Sequence, residues 1–167
     1  MSDGISRYFS EMEKKIQSAE VRVGFLEGGT YPDGTSIPMV AARNEYGDPA
    51  NNQPPRPFFR NAIADNKDKW ARSIERGISA GLDAETVFEA VGAQMKGDIQ
   101  ESIATLIEPK LSDATLERRR SRAVMPNQSD KPLVDTRVLI NSVDYEVNIQ
   151  SKTGTSIWQR VVNWFRG

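Results

Sequence analysis

Apolar residues recur along this chain with two distinct periods. Ile5, Tyr8, Phe9, Met12 and Ile16 fall three or four apart with charged residues between them, which predicts an amphipathic helix over residues 4–19. The period then drops to two. Val21, Val23 and Phe25 alternate with Glu20, Arg22 and Gly24, the pattern of a half-buried strand. Gly28, Gly29, Pro32 and Gly34 predict a loop, and a short helix is expected around 37–46 with Gly47 as its left-handed cap.

Further along, Phe59, Ile63, Trp70, Ile74 and Ile78 form one apolar stripe on a helix expected to run to about Ala80 and to end at Gly81. Asp83 is placed to cap a second long helix, with the stripe Phe88, Val91, Met95, Ile99, Ile103 and Leu106. Gly92 and Gly97 lower its helix propensity, so a close approach to a neighbouring backbone is the expected reason for them. Pro109 should stop this helix. The short link between the two helices predicts a hairpin.

Ser112 caps a predicted small helix, DATLERRRSR, and a loop is expected from Pro126 to Pro132. Leu133 to Asn141 reads as a short helix or turn. It feeds a strand in which Val143, Tyr145, Val147 and Ile149 alternate with polar residues. The C-terminal segment has two readings. Ser156 and Gln159 have capping-box spacing with Ile157, Val161, Trp164 and Phe165 on one helical face, whereas Trp158, Val162 and Trp164 would share a strand face.

The connector between residues 47 and 58 carries Pro49, Pro54, Pro55 and Pro57, so it cannot be a helix interior or a central strand. It is expected to be an extended arm of fixed shape, a surface suited to another protein.

Composition narrows the chemistry. The 167 residues are 38% hydrophobic and 27% charged, the range of a globular domain, and one domain spanning 1–167 is expected. Lys and Arg number 22 against 23 Asp and Glu, a net charge of −1 that disfavours a protein devoted to gripping nucleic acid. There is no Cys and no His, which removes thiolate nucleophiles, the commonest general base and the commonest metal ligands. No catalytic residue, cofactor-binding residue or metal ligand is assigned. The first residues are too polar for a signal peptide and no apolar run reaches membrane-spanning length, so a soluble protein made in a cytoplasm is expected.

Three segments, in order, resemble those of tailed-phage tail-completion and head–tail joining proteins, the group that includes minor tail protein Z-like and virion-morphogenesis-like proteins. They are VAARNEYGDP with PPRPFFRNA, then LSDATLERRRSR, then KPLVDTRVLINSVDYEV. They are similar to the family's NEYG…PxRPFxR, LSxxTLxRR and PLVDTGxLxxSVxYxV stretches. In the third, Arg137 stands where the family has Gly. If that Gly serves a special turn, this chain must build the turn differently. The resemblance implies a structural role in the virion neck, without catalysis, as a ring whose expected count is six. Implied partners are further copies of the chain, a tail terminator or tail tube protein, and head connector or head-closure proteins. Genomic DNA would pass nearby and no membrane is involved. Such a protein would be assembled in the host cytoplasm and end in the virion.

Arg56, Phe58 and Phe59 are the sharpest partner-binding candidates. One ring must face the core, and the other can enter a partner pocket beside Arg, or both rings can simply pack the hairpin. Trp158, Trp164 and Phe165 raise the same question, and 156–167 is a candidate docking segment. Arg118, Arg119, Arg120 and Arg122 could contact a neighbouring subunit or DNA, or form a solvated helix end. The Gly24–Gly34 loop lacks the ending of a phosphate cradle. Glu11 with Glu13, and Asp98 with Glu101, read as surface charges, and Asp135 with Thr136 as a cap and turn.

The expected architecture is α+β, a small antiparallel or mixed sheet packed by the N-terminal helix and the long helical hairpin. The expected function is a phage neck protein that completes the head-proximal end of the tail and joins it to the head. The alternatives are a tail terminator or head-closure protein or, in another class, a nucleic-acid-binding regulator that uses the Arg118–Arg122 cluster.

Overall fold

The computed structural model describes residues 7, 10, 16–26, 29–123, 126–135 and 137–151. Its element order is β1 (Ile16–Phe25), α1 (Ile37–Tyr46), α2 (Phe58–Ser79), α3 (Ala84–Thr105), α4 (Asp113–Arg120), α5 (Val138–Asn141) and β2 (Val143–Ser151). The strands pair as a two-stranded antiparallel sheet, and the fold is α+β. The helix expected over 4–19 falls largely outside the described residues. Arg7 and Ser10 are helical, but the chain is already strand at Ile16, so the sequence placed the helix end too late. Both periods can accommodate Ile16, and pairing with β2 decides for the strand.

Two compact units share the chain. One is built from Asp68–Gln94 with the strand pieces before Val23 and from Tyr145 onward, the other from Val23–Lys67 and Met95–Asp144. In the first, Ala84, Val147 and Ile149 are buried, with Ala19, Val21, Phe88 and Tyr145 packed around them. In the second, the cluster is larger. It joins Ile37, Ala41, Phe58, Ala62, Ile99, Ile103, Leu133, Leu139 and Val143. Phe58, Ile99, Ile103 and Val143 have essentially no exposed surface, and each such side chain contributes about 1.5–3 kcal/mol of burial. The Phe25 ring meets Phe58 edge to face, with centroids 6.0 Å apart.

Helix boundaries follow the signals in the sequence. Asp83 Oδ1 accepts from Thr86 N at 2.9 Å, and Ser112 Oγ accepts from Thr115 N at 3.3 Å, so both expected N-caps are in place. The left-handed Gly81 (φ 80°) follows α2. The buried line of α2, however, is Phe58, Ala62 and Trp70, while Ile63 is 40% exposed. At its start the expected stripe, through Phe59 and Ile63, was therefore one residue, or about 100°, off, while Trp70 is buried and Ile74 and Ile78 are half-buried as expected. On α3, Val91, Ile99 and Ile103 are buried as expected, and Phe88, Met95 and Leu106 are half-buried.

Gly92 and Gly97, alike in sequence, differ in space. A Cβ at Gly92 would lie 2.3 Å from Tyr145 Cδ2, so the close approach is to a side-chain ring, whereas one at Gly97 would meet nothing within 4 Å. Gly47 has φ 83° but ψ 171°, so it is not the left-handed cap expected. It is an extended mirror-image turn, and a Cβ there would lie 2.9 Å from Gln53 O. Arg137 has φ 60° and ψ 3°. The chain makes this turn in the left-handed region with an arginine, a conformation that costs a non-glycine residue about 1–2 kcal/mol.

Candidate functional site

The proline connector is a rigid corner, and its hydrogen bonds explain why. Gly47 turns the chain into a bridge between Asp48 and Gln53, closed by a 3-10 turn at Pro49–Asn51. Gln53 Nε2 donates to Asn44 Oδ1 at 2.9 Å, and Arg56 N donates to Asn44 O at 2.6 Å. Glu45, only 5% exposed, does the work of an N-cap from another helix. Its carboxylate accepts from Phe59 N at 2.9 Å and from Arg60 N at 3.2 Å, two of the donors that α2 leaves unpaired at its start. The same carboxylate accepts from Arg60 Nε at 2.7 Å, and the Arg60 guanidinium lies 5.3 Å from the centre of the exposed Tyr46 ring. Periodicity gave no sign of this role for Glu45, because a cap supplied by a different helix leaves no local spacing.

The corner turns Phe58 into the core, which corrects its assignment to a partner-facing surface, and encloses Arg56 at the wall of a cleft. Phe58 is the ring that faces the core, at 1% exposure. Arg56 is 6% exposed, and its Nε donates to Pro109 O at 3.2 Å. Neither projects from an extended arm, because the arm is folded back on α1, and Arg56 lines a cleft instead. Phe59 is half-buried, edge to face with Phe58 at 6.3 Å between centroids. Trp158, Trp164 and Phe165 lie outside the described residues.

The arginines of α4 and just beyond it divide. Arg118 and Arg120 are exposed. Arg119 is half-buried and donates to Lys131 O at 2.9 Å and to Pro132 O at 2.8 Å, with Asp135 at 3.7 Å from its Nε. Arg122 Nη2 pairs with Asp135 Oδ1 at 2.5 Å. Asp135 is therefore the counter-charge of this cluster and not the helix cap the sequence suggested, since the N-cap of α5 is Arg137 without a side-chain cap bond, and Thr136 lies outside the described residues. Asn127 Nδ2 holds the same loop by donating to Val134 O and Asp135 O. Partial burial acts to raise the Asp135 carboxyl. Against it, the Arg122 hydrogen bond, the Arg119 charge and Asn127 together hold the group below the ordinary carboxylate range.

These parts enclose a cleft of about 1050 Å³ in the second unit. Among the described residues its lining has six basic side chains, Arg56, Lys110, Arg118, Arg119, Arg122 and Arg137, against the carboxylates of Asp33 and Asp135. Arg120 is not part of it. Burial, and then the Arg119 charge, weaken the Arg56 guanidinium's hold on its proton relative to an ordinary arginine. Burial does the same to Arg119, with Asp135 opposing and Arg122 adding to the effect. No group of three Asp or Glu side chains among the described residues is placed to hold a metal ion.

Comparison with protein-family models, with curated proteins and with solved structures yields no match for this chain.

Proposed function

We propose that the chain is a structural protein of the tailed-phage neck, completing the head-proximal end of the tail and joining it to the head as a ring. One observation supports this reading above others. The three segments that resemble the neck family, the first well separated in sequence from the other two, each contribute to the same cleft. Asn44 and Arg56 come from the first, Ser112, Thr115 and Arg119 from the second, and Pro132, Asp135 and Arg137 from the third. The second and third are also tied together by Arg119 to Pro132 O and by Arg122 to Asp135.

The rival reading, a nucleic-acid-binding regulator, asks the α4 arginines to meet phosphates. Arg119 and Arg122 already hold backbone carbonyls and Asp135, which leaves Arg118 and Arg120 as the exposed pair and weakens that alternative. Light scattering coupled to gel filtration, followed by electron microscopy of the purified chain alone and with tails, tests the proposal. Rings of defined symmetry that cap tails and allow heads to join are expected. A monomer that neither rings nor caps tails, and that shifts duplex DNA with a steep salt dependence, would refute it.

A further inference from the structure

Arg56 is an unusual group to bury. It is about nineteen-twentieths enclosed, yet the partner it has among the described residues is Pro109 O, which takes only Nε. Among the described residues no carboxylate pairs with it, and the residue, whose terminal nitrogens carry further donors, lines the cleft. The charge that acts on it is Arg119, of the same sign. A buried guanidinium without a counter-ion is costly, and an incoming anion would remove that cost.

We propose that this cleft binds the carboxylates of an acidic segment of another protein, with Arg56 as the principal anchor and Arg119 beside it. The inference goes beyond the neck reading and does not depend on it. Two features favour a peptide over a nucleic-acid backbone. Tyr31, Val40, Leu111 and Leu139 share the lining with the arginines, which suits a chain that alternates acidic and apolar side chains. Asp33 and Asp135 lie in the same lining, where a continuous line of phosphates would be repelled more than a single carboxylate. A planar guanidinium also matches a carboxylate through two parallel hydrogen bonds.

The test follows the arginine Nε–H signals of the full-length ¹⁵N-labelled protein by NMR during titration with a blocked Leu-Asp-Glu-Leu peptide. Saturable shifts at Arg56 and Arg119 are expected. The blocked Leu-Asn-Gln-Leu peptide should bind about tenfold more weakly, the loss expected for charge-assisted hydrogen bonds. Asp33→Asn keeps the acceptor for Thr35 N and removes a repelling charge from an exposed position, so it should tighten binding about twofold. Arg119→Gln should weaken binding about tenfold. Should that variant's melt show it unfolded, the wild-type shifts and Asp33→Asn decide. Unmoved Arg56 signals, equal binding of the neutral peptide, or tighter binding of inorganic phosphate or a short DNA duplex at the same signals would each overturn the proposal.

Discussion

Gly92 and Gly97 sit on the same helix, and replacing each by alanine should move stability in opposite directions. Relative to glycine, alanine gains about 1 kcal/mol of helix propensity at either position. At Gly97 nothing lies within 4 Å of the new methyl, so that gain is kept. At Gly92 the methyl would stand 2.3 Å from Tyr145 Cδ2, 2.8 Å from Cε2 and 3.0 Å from Cγ. Ordinary contact needs more than an ångström beyond the shortest of these. Cγ is the root of the ring, so relief requires Tyr145 to change rotamer or β2 to move. Overpacking of this kind costs about 1–3 kcal/mol, and the short distance places it toward the upper end. The net expectation is a loss of about 1–2 kcal/mol for Gly92→Ala and a gain of about 0.5–1 kcal/mol for Gly97→Ala. Urea titrations of the two variants beside the wild type measure both, and the melting temperatures should move apart by several degrees, on the order of 2–4 °C per kcal/mol. In the Gly92→Ala, Tyr145→Ala double variant the clash is gone, so the combined loss should be smaller than the sum of the single losses. If Gly92→Ala stabilises as much as Gly97→Ala, or if the double variant is additive, Tyr145 does not pack on α3 at that point and the reasoning fails.

Other substitutions probe both units. Ile99→Ala should destabilise by about 2–5 kcal/mol, and Phe88→Ala by less than its size suggests, since Ile99 has no exposed surface and Phe88 is half-buried; equal denaturation midpoints would contradict this. Arg137→Gly should stabilise by up to about 1 kcal/mol, because relief of the left-handed arginine exceeds the entropy that glycine adds to the unfolded chain, and an unchanged or lowered melt would count against it. Asp135 has a folded-state carboxyl below its unfolded value, so its contribution is complete above about pH 4 and is lost as pH falls through the folded value. The stability gap between wild type and Asp135→Asn should accordingly be widest near neutrality and close in acid; a gap that widens on acidification would refute the sign.

The elements most legible in the sequence were those whose cause is local. Asp83 and Ser112 announce their helices because a cap needs only a side chain and an amide a few residues on. The alternation of Val143, Val147 and Ile149 marked the buried face of β2 for a similar reason. Adjacent rings defeat periodicity. Phe58 and Phe59 differ by 100° around α2, and only the packing of Phe25 against one of them shows which turns inward. The cleft was less legible still. The Arg118–Arg122 run stood out as charge, but its partner Asp135 lies 13 residues beyond Arg122. Arg56 reads as an exposed hot-spot residue until the corner that folds it against Pro109 is in place.

The Glu45 carboxylate fixes more than the start of α2. Surface connectors generally accept inserted residues with little penalty, because lengthening a loop adds only slowly to its closure entropy. This one behaves as a ruler. One end is set by Gly47, where Gln53 O leaves no room for a side chain, and the other by the two α2 amides that Glu45 must reach. A single residue added between Asp48 and Pro57 would push those amides out of reach while leaving every proline intact. Natural variation in length should therefore avoid this connector and collect in other loops, and a tag or epitope inserted here would disturb the second unit even though Pro49, Ala50 and Pro54 are all exposed.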